Sequence, residues 1–208
     1  MISLWSFSPE AGKNILLGAF THSAEELLPC VPLDDESYHT YQGLGSNSRK
    51  IEFLGSRYLI NLFFQRPIIL GHESSGKPFL INAKKHISIS HSNHYVAIYL
   101  TDEPNPGIDI ELMHRPIHRI LSRFLSPAEQ NNLLAGYEKE HALVCWTMKE
   151  VMVKSLQNRQ IDFQKELSIQ AFNPIKDREA RIIVTQTSES VERRVSFFQH
   201  ENLWISHT

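Results

Sequence analysis

Residues 142–154 read Ala-Leu-Val-Cys-Trp-Thr-Met-Lys-Glu-Val-Met-Val-Lys, and the interpretation of the fold begins with this stretch. Apolar residues surround almost the whole circumference of a helix here, a pattern typical of a buried helix. We therefore expect a helix over residues 141–157. Lys149, Glu150 and Lys154 interrupt the apolar surface, and a buried charge is costly unless it is paired or coordinates a ligand. The helix is the first candidate for a functional site.

Three polar residues of this helix form one stripe. Thr147, Glu150 and Lys154 lie at positions i, i+3 and i+7, which fall on the same face. An exposed Glu150–Lys154 ion pair, which would contribute only a few tenths of a kcal/mol, is one interpretation. Because the helix is otherwise so apolar, the sequence favours a site.

The segment 107–112 reads Gly-Ile-Asp-Ile-Glu-Leu and alternates apolar with acidic residues. Such alternation predicts a β-strand on which Asp109 and Glu111 share one face. Two carboxylates this close repel each other unless a cation lies between them. Oxygen ligands suit Mg²⁺, which often shares its coordination shell with substrate phosphates. The alternative is a solvated polar face on an edge strand, and the acidic pair by itself favours that alternative.

The first half of the chain predicts short strands and one prominent helix. We expect one strand, a short helix and loops in residues 1–45. Ser46 to Ser48 supply N-cap residues for a helix that ends before Pro67, and residues 71–78 predict a polar loop. Two strands are expected next, at 87–90 and 95–100, joined by a turn at 91–94.

The second half has a similar composition. Residues 123–134 predict a helix capped near Ser126-Pro127. Four more strands are expected, at 167–172, 180–187, 195–198 and 203–206. Strands plus one prominent helix in each half indicate an α+β protein. The segment 101–106, which contains two prolines, is the expected boundary between domains 1–103 and 104–208.

Composition excludes several classes of protein. The chain has 208 residues, 41% of them hydrophobic, which is enough to build a core. A formal net charge of -2 argues against a general nucleic-acid binder. Cys30 and Cys145, the only cysteines, cannot form a disulfide scaffold or a cysteine-based zinc cluster. No apolar run is long enough for a membrane helix, and no secretory leader is recognisable. We expect a cytoplasmic protein that binds neither nucleic acid nor membrane.

Five ordered motifs resemble those of the 4′-phosphopantetheinyl transferases. Residues 107–111 match the family pattern G-[IV]-D-[IV]-E, and residues 146–154 match W-[ST]-x-K-E-[AS]-x-x-K at the family's spacing. Three further segments agree: 76–78 with G-K-P, 88–92 with S-x-S-H-S, and 123–129 with R-F-F-S-x-x-E. The ordered set is highly specific. The chain departs from the pattern at Val151, where Ala or Ser is usual, and at 155–160, which lacks glycine.

The resemblance implies the Sfp-like subfamily, in which two similar α+β halves form a pseudo-dimer within one chain. Coenzyme A (CoA) would lie in the cleft between the halves. The implied reaction is the Mg²⁺-dependent transfer of 4′-phosphopantetheine from CoA to a serine of an apo acyl or peptidyl carrier protein. The other product is 3′,5′-ADP, and we expect a monomeric transferase.

The resemblance also implies roles for three acidic residues and one lysine. Asp109, Glu111 and Glu150 would hold Mg²⁺, or Mn²⁺, against the pyrophosphate of CoA. Glu150 would accept the serine proton, directly or through a metal-bound water. Lys154 would bind the pyrophosphate and stabilise the leaving group. The expected catalytic residues are thus Asp109, Glu150 and Lys154.

Residues of the first half are expected to bind the CoA phosphates. These are Arg49, Arg57, Lys77, Ser90 and His91. Arg49, Lys50 and Arg57 remain alternatives for one phosphate contact, with Arg57 preferred because it follows Gly55-Ser56. His91 could instead be a capped turn residue.

Two rival functions stay open at this point. The chain could be a CoA-binding module of the same fold that lacks catalysis, although Asp109, Glu111, Glu150 and Lys154 argue against that. It could also be a metal-dependent nucleotide phosphohydrolase, which would use water instead of a carrier protein.

Overall fold

The computed structural model describes residues 2–157, 160–186 and 189–208. The chain divides into two compact units, Met1–Pro106 and Gly107–Thr208. This division lies close to the boundary expected at 103/104. The assignment of each half as a separate domain stays a prediction.

The first unit contains a four-stranded antiparallel sheet and a long helix. Its elements are β1 (Ile2–Phe7), β2 (Asn14–Phe20), α1 (Ala24–Leu27), α2 (Asp35–Gln42), α3 (Asn47–Phe64), β3 (Ile69–His72), β4 (Pro78–Ile81), β5 (His86–Ser92) and β6 (Tyr95–Thr101), with a 3₁₀ turn at Leu28–Cys30. The strand order is β1–β2–β6–β5. Helix α3 packs on β2 and β6, and it buries Leu54, Leu59 and Ile60 in the core.

The signals at the ends of α3 act as the sequence predicts. The Ser46 side chain accepts a hydrogen bond from the Arg49 backbone N–H and so caps the first turn. The helix ends at Phe64, and its C-cap residue Gln65 is left-handed, with a φ of 54°, two residues before Pro67. The expected helix is confirmed.

Strand pairing in this unit differs from the expectation at three places. Residues 1–45 hold two strands, since β1 and β2 form an antiparallel pair. The expected polar loop at 71–78 is the end of a β3–β4 hairpin, which turns at Gly76 with a φ of 84°. This hairpin has exposed apolar residues, so its sequence lacks clear alternation. The turn between β5 and β6 is shorter than expected, because His91 and Ser92 belong to β5.

The second unit is a five-stranded antiparallel sheet with helix α6 packed on it. Its elements are β7 (Ile108–Leu112), α4 (Leu121–Phe124), α5 (Pro127–Asn131), α6 (Glu138–Leu156), β8 (Leu167–Ile169), β9 (Glu179–Gln186), β10 (Glu189–His200) and β11 (Leu203–His207), with a 3₁₀ turn at Ile117–Ile120. The strand order is β7–β11–β10–β9–β8, so β7 is an edge strand. Helix α6 packs mainly against β7 and β11. The predicted buried helix and the strand at 107–112 are confirmed.

The helix expected at 123–134 is instead two short helices. Helix α4 ends at Phe124, and the extended residues Leu125 and Ser126 separate it from α5. Ser126 precedes Pro127, whose ring disfavours a helical conformation in the residue before it. Ser126 and Glu129 then form a capping box that starts α5.

Two parts of the expected pattern lie outside the described residues. Thr187 would end the strand expected at 180–187. Asn158 and Arg159 belong to the segment 155–160 that lacks glycine. Elsewhere the α+β composition expected from the sequence is confirmed. Within the described ranges, no helix is both long and apolar enough to cross a membrane.

Gly107 explains why the strand motif begins with glycine. A Cβ atom at this position would lie 2.4 Å from the backbone carbonyl oxygen of Val151 in α6. That separation is too short for any side chain, and the obstructing atom belongs to a helix backbone. Glycine therefore allows the start of β7 to approach α6 closely.

Gly107→Ala should lower the free energy of unfolding by about 1–3 kcal/mol, the usual cost of an overpacked contact. The change would be measured by urea unfolding at constant m value. Gly45→Ala is the matched control, because nothing lies within 4 Å of a Cβ at Gly45. Equal stabilities of the two variants would contradict the close approach.

Candidate active site

The two carboxylates of β7 are buried. Asp109 is 6% exposed and Glu111 is 8% exposed, although β7 is an edge strand. Helix α6 packs on this strand. The solvated-face alternative is therefore wrong, and each carboxylate must find a partner other than bulk water.

Asp109 interacts with the last turn of α6. Lys154 Nζ lies 2.9 Å from Asp109 Oδ1 and also donates a 2.7 Å hydrogen bond to the backbone carbonyl of Ile108. The side chains of Glu150 and Lys154 form no ion pair within the described part of the chain. The interpretation of the stripe as a Glu150–Lys154 ion pair is wrong, because Lys154 is directed to β7.

Glu111 has two partners of its own. The Arg115 guanidinium forms an ion pair with Glu111 Oε1. Trp146 Nε1–H donates a hydrogen bond of 3.2 Å to the same oxygen. The Arg115 guanidinium also lies 5.0 Å from the centroid of the Trp146 ring, so the three side chains form one cluster.

Glu150 is half-buried near Asp109. Burial raises the pKa of the Glu150 carboxyl, and the negative charge of Asp109 raises it further. The positive charges of Lys154 and Arg115 act in the opposite direction on this pKa. A carboxylate whose pKa is raised toward neutrality is a better proton acceptor at physiological pH.

The other polar residues of α6 have structural partners. Thr147 is fully buried, and its hydroxyl oxygen lies 2.7 Å from that of Ser206 on β11. Lys149 is also fully buried and forms an ion pair of 2.8 Å with Glu129. The sequence pattern alone does not separate these residues from Glu150 and Lys154.

The oxygen donors fit Mg²⁺ in their chemistry. Asp109 and Glu150 are close enough for the charge of one to raise the pKa of the other. Mg²⁺ is usually bound by one or two carboxylates together with substrate phosphates. Across the described ranges, no group of three or more His, Cys, Asp or Glu side chains is arranged to hold a metal ion. The set of Asp109, Glu111 and Glu150 stays a prediction.

In the first unit, Glu52 links two of the expected phosphate-binding residues. Arg49 Nη1 lies 3.1 Å and His91 Nε2 lies 3.4 Å from Glu52 Oε2. Sequence analysis overlooked Glu52, although its i, i+3 spacing from Arg49 on α3 was a usable signal. His91 is exposed and Ser90, the preceding residue of β5, is buried.

Arg57 lies in a different environment on α3. It is only 6% exposed, and its guanidinium stacks 3.4 Å from the centroid of the Phe53 ring. Burial lowers its pKa to about 10, a change that nearby Asp34 opposes, so Arg57 remains charged at neutral pH. Arg57 and Arg66 line a cavity of about 360 Å³.

Lys77 and Lys50 have local partners in the same unit. Lys77 Nζ donates a 2.7 Å hydrogen bond to Asn105 Oδ1. Lys50 Nζ lies 5.2 Å from the centroid of the Tyr41 ring. The choice among Arg49, Lys50 and Arg57 stays open, although only Arg49 shares a partner with His91 among the contacts described above.

Comparison with protein families gives a match in the second unit. Residues 105–207 match the model of the 4′-phosphopantetheinyl transferase superfamily. The matched segment includes β7 and α6, and with them Asp109, Glu111 and Glu150. The match supports a transferase that handles phosphopantetheine. A search of curated proteins gives no match.

The charges around Glu150 predict opposite shifts of its pKa in two variants. Asp109→Asn should lower this pKa, because the Asp109 charge raises it. Lys154→Met should raise it, because the lysine charge lowers it. Carboxyl ¹³C NMR titration in metal-free buffer measures both pKa shifts. The Glu150 signal is identified by its absence in the Glu150→Gln variant. Shifts in the same direction would contradict the described geometry.

Proposed function

We propose that this protein transfers 4′-phosphopantetheine from CoA to a serine of an apo acyl or peptidyl carrier protein. The supporting observation is the arrangement of the buried Asp109 with the half-buried Lys154 and Glu150 in the segment that matches the transferase superfamily. We further propose the Sfp-like subfamily and, from the sequence, a cytoplasmic monomer that depends on Mg²⁺.

Asp109, Glu111 and Glu150 would hold Mg²⁺. When bound, Mg²⁺ or Mn²⁺ neutralises negative charge on the pyrophosphate of CoA. Before binding, Lys154 and Arg115 partly neutralise Asp109 and Glu111 respectively. Asp109 and Glu111 can thus remain charged in a buried strand, because their cationic partners come from the same unit.

Glu150 is suited to accept the proton of the carrier serine. The serine oxygen attacks the phosphorus atom that carries the pantetheine group, a new P–O ester bond forms, and the pyrophosphate P–O bond breaks. The proton moves to the Glu150 carboxylate, and 3′,5′-ADP leaves. The raised pKa of Glu150 favours this proton transfer near neutral pH.

Lys154 would stabilise the leaving phosphate. Negative charge develops on 3′,5′-ADP as the pyrophosphate bond breaks, and a fixed ammonium group lowers the energy of that state. The hydrogen bond to the Ile108 carbonyl and the ion pair with Asp109 fix the position of Lys154 Nζ. Such a fixed charge needs little reorganisation during the reaction.

Arg49, Arg57, Lys77, Ser90 and His91 are proposed to bind the CoA phosphates. Glu52 supports this proposal for Arg49 and His91, because the shared carboxylate brings their side chains together. Arg57 is supported by its buried, charged guanidinium at a cavity.

One assay tests the function against its rivals. The protein is incubated with CoA, Mg²⁺ and a panel of apo carrier proteins, and the carriers are analysed by intact mass spectrometry. A gain of one phosphopantetheine supports the proposal. Release of 3′,5′-ADP without carrier modification would indicate a hydrolase, and CoA binding without either reaction would indicate a non-catalytic module.

Lys154→Met should reduce single-turnover transfer at least about 100-fold, the scale expected when a group that stabilises developing charge is removed. The methionine keeps much of the apolar stem and the helix propensity. Lys139→Met is the control, because Lys139 is an exposed residue of the same helix. Near-normal transfer combined with a lower melting temperature would assign Lys154 a purely structural role toward Asp109.

His91→Ala should weaken CoA binding more than it slows transfer from the bound complex, because a phosphate contact acts mainly on ground-state binding. Calorimetry with CoA and single-turnover transfer measure the two effects separately. His86→Ala is a matched control, since His86 is another exposed histidine of β5. If His91→Ala and His86→Ala bind CoA equally well, the assignment of His91 is wrong.

A further inference from the structure

Lys149 makes four polar contacts in the core of the second unit and is not used by the mechanism above. Its side chain is fully buried. Lys149 Nζ lies 2.8 Å from Glu129 Oε1 and 2.9 Å from Glu129 Oε2. It also donates 2.8 Å hydrogen bonds to the backbone carbonyls of Phe124 and Phe163. One ammonium group thus joins three separate segments of the chain to α6.

Glu129 is bonded to further parts of the backbone. Its Oε2 accepts a 2.8 Å hydrogen bond from the N–H of Ser126, and its Oε1 accepts a 2.9 Å bond from the N–H of Ile169 in β8. The carboxylate therefore ties the start of α5 to the edge of the sheet. Each of these bonds is directional and fixes a distance.

Both carbonyl groups bound by Lys149 belong to residues that pack against Trp146. The Phe124 ring lies edge-on to Trp146 with centroids 5.2 Å apart, and the Phe163 ring lies 5.7 Å from it. Lys149 fixes the backbone of each phenylalanine, and the phenylalanine rings fix the indole. Trp146 Nε1–H in turn donates to Glu111 Oε1. A continuous series of contacts therefore leads from Lys149 to the Glu111 carboxylate.

Stability alone does not explain why a charged pair is kept here. Desolvation of two buried charges cancels much of their attraction, and apolar replacements of such pairs are often equally stable or more stable. An apolar pair could not bind the Phe124 and Phe163 carbonyls. The geometry that Lys149 imposes is thus the property that apolar residues cannot supply.

We propose that Lys149 and Glu129 are positioning residues that orient the Glu111 carboxylate toward the metal ion. They act through the backbones and rings of Phe124 and Phe163, which hold the Trp146 indole against Glu111. The part of this inference that concerns the metal rests on the proposed function. The part that concerns the orientation of Trp146 can be measured in the metal-free protein.

The test compares three variants with the wild type. Lys149→Met alone leaves the Glu129 charge buried without its ammonium partner and can fail to fold. Glu129→Gln/Lys149→Met removes both charges, so it avoids an unpaired buried charge but still lacks the bonds to the two carbonyls. Trp146→Phe keeps an aromatic ring and deletes the donor to Glu111. Lys139→Met, on the exposed part of α6, is the control.

The first measurement is the indole ¹H–¹⁵N NMR signal of Trp146 in metal-free protein, identified by its loss in Trp146→Phe. The folded double variant should shift or broaden this signal, and Lys139→Met should not. The second measurement is Mn²⁺ affinity by electron paramagnetic resonance. The double variant and Trp146→Phe should each bind Mn²⁺ about 10-fold more weakly, as expected for the loss of an outer partner of a ligand.

The outcomes separate the two proposals. A folded double variant with the wild-type indole signal overturns the positioning role, and so does a Trp146→Phe variant with wild-type Mn²⁺ affinity. If the wild type binds Mn²⁺ but modifies no carrier protein, the proposed function fails while the indole and Mn²⁺ results still test the positioning. If the double variant has both the wild-type indole signal and the wild-type Mn²⁺ affinity, the Lys149–Glu129 pair only stabilises the fold.

Discussion

The packing of α6 against the edge strand β7 is the constraint on which the rest of the second unit depends. Gly107 allows the strand to begin against the helix backbone at Val151. The Lys154 ammonium group then reaches both the carboxylate of Asp109 and the carbonyl of Ile108. Because the helix covers the strand, two carboxylates on an edge strand are buried. Burial leaves each carboxylate dependent on a nearby cationic partner.

Three neighbouring charges on α6 behave differently because their partners differ. Lys149 is enclosed by Glu129 and two backbone carbonyls. Lys154 faces β7, and Glu150 is half-buried with a pKa that burial and Asp109 raise. One helix thus supplies a structural cation and two groups suited to chemistry. This division supports the proposed transfer reaction and the proposed positioning role.

The accuracy of the sequence predictions follows the strength of the local pattern. Helices α3 and α6 and strand β7 have long or regular periodicity, and their existence is confirmed. The β3–β4 hairpin was missed because its strands are short and carry apolar residues on both faces, with Leu70 and Leu80 buried and Ile69, Phe79 and Ile81 exposed. The prediction of one helix over 123–134 was wrong because Pro127 disfavours a helical conformation at Ser126.

By itself, the sequence determined the α+β composition, the order of the motifs and the types of residue, carboxylates and lysines, at the candidate site. The tertiary structure alone decided which charge meets which partner: Lys154 with Asp109, Lys149 with Glu129, and Trp146 with Glu111. Local periodicity specifies an element and the face on which a residue lies. Ion pairs and hydrogen bonds act over a few ångströms, so they depend on how distant segments pack, which no local pattern records.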